Sequence, residues 1–128
     1  MHTILVVDDS PTIRRMVRAA LAALPDVTFV EAESGLRAIE VLGMHPVQMV
    51  VLDLNMPDMH GLDVIRFLRS HRQYRDLPVM VLTTRGDETS RQAALDAGAS
   101  AYVTKPFMPT ALLSAVRQLL DAHVTRGR

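Results

Sequence analysis

Several charged positions far apart in the chain each close a short apolar run. Asp8 and Asp9 follow Ile4-Leu5-Val6-Val7, Asp53 follows Val50-Val51-Leu52, and Lys105-Pro106 comes just after Ala101-Tyr102-Val103. A carboxylate ending a buried strand is costly unless something binds it. Three such carboxylates brought together would repel one another and raise their pKa values unless a cation neutralised them. Hard oxygen ligands of this kind suit Mg²⁺, which keeps waters and accepts phosphate oxygens. A carboxylate can also be a nucleophile that takes up a phosphoryl group as an acyl phosphate. Lys105 would offer fixed positive charge to the phosphoryl oxygens, and Thr83, at the end of a fourth apolar run, a hydroxyl hydrogen bond. Three carboxylates, one lysine and one metal would together make a phosphoryl-transfer site. Singly these signals are weak, since Asp9 or Ser10 could simply cap a helix and Thr83 suit a strand.

Convergence needs a scaffold, and the chain supplies a regular one. Strands are predicted at Thr3–Val7, Val27–Glu31, Gln48–Leu52, Pro78–Thr83 and Ala101–Thr104, short and nearly all apolar, as in a parallel sheet buried on both faces. Helical periodicity lies between them. In the first helix Ile13, Met16, Val17, Ala20, Leu21 and Leu24 share a face, with Arg14, Arg15 and Arg18 off it. Ser10 is its expected N-cap, Pro11 its first residue and Pro25 its stop. Later helices are expected to start near Ser34, Gly61, Asp87 and Pro109. The fourth has a weakly apolar face of Ala93, Ala94 and Ala97 and ends at Gly98; the last presents Leu112, Leu113, Val116, Leu119 and Leu120 on one side. Alternating strand–helix units predict an α/β three-layer domain with right-handed crossovers. In such sheets ligands bind beyond the carboxyl ends of the strands. Asp8, Asp9, Asp53, Thr83 and Lys105 all fall there.

Composition removes other function classes. Lysine plus arginine equals aspartate plus glutamate at 14 each, so no overall charge draws the chain to nucleic acid or an anionic membrane. No cysteine is present, which excludes disulfides, thiolate zinc sites and thiol catalysis. The histidines lack zinc spacing and are read as surface or helix-end residues. Met1-His2-Thr3 enters a strand with no basic leader or long apolar stretch, so a cytoplasmic location is expected. Residues 1–124 are expected to be one domain and 125–128 a flexible tail.

Four segments in order carry a family likeness: Val7-Asp8-Asp9-Ser10, Asp53 through Gly61 (DLNMPDMHG), Val81-Leu82-Thr83-Thr84, and Gly98 through Phe107 (GASAYVTKPF). With them the chain resembles a receiver domain of two-component response regulators, closest to the single-domain chemotaxis type. The resemblance implies a flavodoxin-like (βα)5 doubly wound sheet in strand order 2-1-3-4-5. It implies that Asp53 is the phosphoacceptor and that Asp8, Asp9, Asp53 and the Asn55 backbone carbonyl hold Mg²⁺. By the same likeness Thr83 and Lys105 hold the phosphoryl oxygens, Thr83 and Tyr102 form the switch, and Lys105-Pro106 is cis. A histidine kinase or phosphotransfer protein would be the donor and a downstream protein the target, by protein–protein contact since no output domain is seen. Such a protein is a signalling phosphoacceptor rather than an enzyme, although it catalyses its own phosphoryl transfer and dephosphorylation.

Plainer readings remain beside these. Tyr102 could be an ordinary amphipathic residue, Met56 and Met59 loop packing, and Arg14, Arg15 and Arg18 a solvated helix face. A degenerate receiver acting as a constitutive interaction module is a rival; its test is failure to bind Mg²⁺. A phosphatase of the aspartyl-nucleophile type wants a second acid two residues after Asp53, where Asn55 stands. A Rossmann-type nucleotide binder wants a glycine-rich loop where Asp8-Asp9-Ser10-Pro11 stands. Arg85 differs from the acidic residue of familiar chemotaxis members, and is expected to shield the Asp53 mouth from water.

Overall fold

The computed structural model describes residues 2–126, with side chains described as far as residue 122. Strands β1 (His2–Val7), β2 (Val27–Ala32), β3 (Met49–Leu52), β4 (Val79–Thr83) and β5 (Ala101–Thr104) alternate with helices α1 (Pro11–Leu21), α2 (Gly35–Met44), α3 (Gly61–Ser70), α4 (Glu88–Ala97) and α5 (Pro109–Arg126). All strand pairs are parallel, in the order β2-β1-β3-β4-β5. Each strand end lies within one residue of the sequence expectation, and the flavodoxin-like order is the one expected.

Strand residues alternate between two apolar layers. Leu5, Val7, Val50, Leu52, Val79 and Val81 pack with α2, α3 and α4, whereas Ile4, Val6, Met49, Val51, Met80 and Leu82 pack with α1 and α5. The strands are therefore apolar almost without interruption because both faces are covered. Among the described residues, no helix is long and apolar enough to cross a membrane.

The caps explain the helix starts. Ser10, Ser34 and Asp87 accept hydrogen bonds from the backbone N–H groups of Ile13, Arg37 and Ser90, and His60 Nδ1 accepts from that of Leu62. On α5, Leu112, Val116 and Leu120 are buried as expected, with Leu113 and Leu119 packed at the margin. That helix runs to Arg126, two residues into the expected tail; Gly127 and Arg128 lie outside the described residues.

Two details of α1 depart from expectation. The helix ends at Leu21, four residues before Pro25, because a proline ring clashes with the carbonyl four residues earlier. The chain then turns through Asp26, whose φ is 54°. Met16 is 46% exposed rather than in the core. The buried stripe centres on Val17 and Leu21, and Met16 lies about 100° from Val17 around the helix. On α4 only Ala94 of the alanine face is buried.

Arg69 ties the far side of the sheet together. It leaves α3 half-buried and donates to the carbonyls of Gly98, Tyr74, Arg75 and Leu77, at 2.7 to 3.1 Å. Burial lowers its pKa, the nearby Asp76 charge only partly compensating. Gly98, which ends α4, has φ 118°, and a Cβ there would lie 2.7 Å from Arg69 Cγ. Gly98→Ala is thus expected to lower stability by about 2 kcal/mol, part from the left-handed backbone and part from displaced Arg69. Urea unfolding of both proteins measures it; a loss near zero would show that Arg69 and the turn relax freely.

Candidate functional site

The last rungs of the sheet bring the distant charged residues together. Val7 pairs with Leu52, and the Asp53 N–H donates to the Val7 carbonyl at 3.0 Å. The Asp8 N–H donates to Ala32 at 3.1 Å, and the Lys105 N–H to the Thr83 carbonyl at 2.8 Å. Backbone pairing alone therefore sets Asp8, Asp53, Thr83 and Lys105 at one edge.

Asp8, Asp53 and Thr83 are the buried polar residues of the core region, at 3%, 7% and 0% exposure. Lys105 Nζ donates to Asp8 Oδ2 at 2.7 Å and to Asp53 Oδ2 at 3.2 Å. Burial alone would lower the Lys105 pKa; its hydrogen bond to Asp8 and the two carboxylate charges outweigh it, and the net direction is up. The ammonium therefore stays charged across neutral pH. The second oxygens are also engaged: Asp8 Oδ1 accepts from the Ser10 N–H at 2.9 Å, and Asp53 Oδ1 from the Asn55 N–H at 3.3 Å. Asp9 stands exposed beside them, and oxygens of Asp8, Asp9 and Asp53 lie within 4.8 Å of one another. Three carboxylates against one ammonium leave negative charge unbalanced. This donor set, all hard oxygen, fits a divalent cation of the Mg²⁺ type.

The switch candidates meet through one intervening residue. Thr83 Oγ1 accepts from the Arg85 N–H at 3.4 Å, and the half-buried Tyr102 donates its hydroxyl to the Arg85 carbonyl. Burial and the Asp87 charge both raise the Tyr102 pKa, so the phenol remains a donor. Arg85 itself turns its Nε to Ser90 Oγ at 3.2 Å. With Leu54, His60, Leu62, Thr89, Ser90 and Ala93 it lines a cavity of about 170 Å³ beside the mouth. The Lys105-Pro106 bond is cis, as expected. Met56 and Met59 pack against the core, and His45, His60 and His71 sit at helix ends, also as expected. His2 does not fit a surface reading, because its Nδ1 is buried without a partner.

Three residues with roles here carried no such signal in the sequence. Arg14, expected on a solvated face, is only 15% exposed and donates to the Asp8 carbonyl and to Glu31. Asp58 accepts from the N–H groups of Gly35 and Leu36, pinning the β3–α3 loop to the start of α2. Gly61 faces the backbone next to the candidate nucleophile, where a Cβ would lie 2.6 Å from the Asp53 carbonyl oxygen. All three depend on contacts between segments remote in sequence, which no local pattern encodes.

Known proteins share the sequence pattern and the fold. The profile of the response regulator receiver domain matches residues 4–117. A chemotaxis protein CheY homolog of Campylobacter jejuni subsp. jejuni (strain 81-176) is 36% identical over 125 residues, 97% of this chain and 96% of that protein. The crystal structure of CheY4 of Vibrio cholerae superposes with a TM-score of 0.85 at 30% identity, covering 93% of this chain and 98% of the other. The Mn²⁺-bound form of the response regulator Rcp1 superposes with a TM-score of 0.79 at 27% identity, covering 93% and 91%.

Removing the ammonium should expose what it holds. Lys105→Met leaves two nearly buried carboxylates without their shared partner, expected to cost on the order of 2 kcal/mol in metal-free buffer. Added Mg²⁺ should then raise the melting temperature of the variant more than that of the parent. Equal melting of the two proteins without metal would contradict this account of the pair.

Proposed function

The chain belongs to the response regulator receiver domain family, and from that premise we propose that it accepts a phosphoryl group on Asp53 from a histidine kinase or phosphotransfer protein. The observation that carries the proposal is Lys105 bridging Asp8 and Asp53 with Asp9 alongside. The aspartyl oxygen forms a bond to phosphorus while the bond to the donor's imidazole nitrogen breaks, and the imidazole leaves. Little covalent work falls to the protein, so catalysis is positioning and charge. Lys105 turns its ammonium from the Asp53 carboxylate to the incoming phosphoryl oxygens, and Thr83 offers its hydroxyl to another. Mg²⁺, held by Asp8, Asp9, Asp53 and the Asn55 carbonyl, would supply the remaining charge neutralisation. A divalent ion in the Rcp1 structure supports that role.

The response then follows from the Arg85 backbone. When Thr83 turns to the phosphoryl group it gives up the Arg85 N–H, and the neighbouring Arg85 carbonyl is the anchor of Tyr102. Phosphorylation thereby biases the position of Tyr102 and the surface of α4, β5 and α5, a two-state shift read by a downstream protein. The protein acts as a cytoplasmic signalling element, and water eventually hydrolyses the acyl phosphate.

Intact mass after incubation with Mg²⁺ and a small phosphodonor tests the acceptor. The parent should gain one phosphate and Asp53→Asn none; equal labelling of the variant would remove Asp53 from the role.

Arg85 tests the hydrolysis path. Its side chain is tied to Ser90 and lines a cavity with Leu54, the neighbour of Asp53, and we propose that from there it crowds the approach of water to the phosphoryl group. A charge that it contacts equally in ground and transition states accelerates little, so shielding dominates. Arg85→Ala should shorten the phospho-Asp53 lifetime about threefold, roughly 0.6 kcal/mol of barrier. Decay of labelled protein after donor removal measures it, and a longer lifetime would mean that the arginine assists hydrolysis.

A further inference from the structure

Resting on the reading of Asp8 and Asp9 as metal ligands, we propose that Arg14 is a positioning residue for them: anchored on Glu31, it fixes the peptide that joins the two aspartates. Arg14 Nε donates to Glu31 Oε1 at 2.8 Å while its Nη1 donates to the Asp8 carbonyl. The other Glu31 oxygen accepts from Arg18 Nη1 at 2.7 Å. Glu31 itself sits on the edge strand opposite Val6, so its backbone is fixed by the sheet. The two arginines differ in kind. Arg18 is 49% exposed, whereas Arg14 is 15% exposed and spans from the Glu31 carboxylate to the Asp8 backbone carbonyl.

The peptide unit is planar, so orienting the Asp8 carbonyl also orients the Asp9 N–H and the start of the Asp9 residue. Asp8 is thereby held through its N–H, both carboxylate oxygens and its carbonyl, by Ala32, Ser10, Lys105 and Arg14. Asp9 is exposed and takes its placement from this peptide. A guanidinium this close to an acidic cluster has two opposing effects on a bound cation. Its charge disfavours the cation, though Glu31 cancels much of that charge. Its grip holds the ligands in place, which favours the cation. Loss of an outer partner of a metal ligand weakens affinity by about tenfold or more, so the grip should win.

The opposite signs make the test decisive. The full chain, freed of metal, is titrated with Mg²⁺ while backbone amide chemical shifts near Asp8, Asp9 and Asp53 are followed; thermal melting is recorded in parallel. Arg14→Gln should bind Mg²⁺ about tenfold more weakly. Arg14→Lys keeps the charge but reaches only one of the two partners, and should fall between. Tighter or unchanged Mg²⁺ binding by folded Arg14→Gln overturns the proposal, as does Arg14→Lys binding like the parent. A purely structural role would lower the melting temperature of both variants and leave the affinity of the folded protein unmoved, which also overturns it. If Arg14→Gln does not fold, Glu31→Gln is titrated in its place, with weaker binding expected and unchanged binding fatal. A parent protein whose shifts do not respond to Mg²⁺ would overturn the metal reading and this proposal with it, an outcome distinct from failure in the variants alone.

Discussion

One ammonium between two nearly buried carboxylates is the constraint around which this fold is arranged. Lys105 reaches Asp8 across 97 positions of sequence and Asp53 across 52. Like charges held this close are tolerable only with a shared cation, and the cation is useful only if all three backbones are fixed. The sheet fixes them. β1 lies beside β3, β3 beside β4, and β4 beside β5, so the residues that leave their carboxyl ends emerge side by side. This order puts Asp8 and Asp53 on adjacent strands with Lys105 within reach.

The loops above the sheet are held from outside rather than by their own turns. Asp58 fastens the β3–α3 loop to the first N–H groups of α2. Burial would raise its pKa, but hydrogen bonds from Ser34, Leu36 and Gly35 hold it below the usual carboxylate range. Gly61 lets α3 start against the Asp53 backbone itself. The β1–α1 loop is held in turn by Arg14 and Glu31. The loop after β4 contrasts with both. Its hydrogen bonds run through the Arg85 peptide to Thr83 and Tyr102.

What the sequence disclosed follows from the same physics. Apolar runs, helix caps and the carboxyl-end positions of Asp8, Asp53, Thr83 and Lys105 are local patterns, and the structure agrees with them nearly residue by residue. Met16 was misplaced because a helical face drawn from sequence has no fixed centre until the neighbouring strand supplies one. Arg14 looked like its neighbours Arg15 and Arg18, since nothing within α1 reveals that Glu31 stands across from it. The roles of Asp58 and Gly61 likewise depend on distances between loops. Those pairings are tertiary facts, and a single sequence contains no measure of them.

The clamp on Lys105 has a practical corollary in covalent chemistry. Of the 14 lysines and arginines in the chain, Lys105 alone is a lysine. Apart from the α-amine, it is therefore the sole target in this sequence for any reagent that acylates primary amines. Such reagents attack only the deprotonated amine, and here the carboxylates keep it protonated and mostly covered. The side chain should be slow to acylate while both acids grip it and quicker when either lets go. The protein thus carries a built-in chemical reporter whose reactivity records how firmly its central charges are paired.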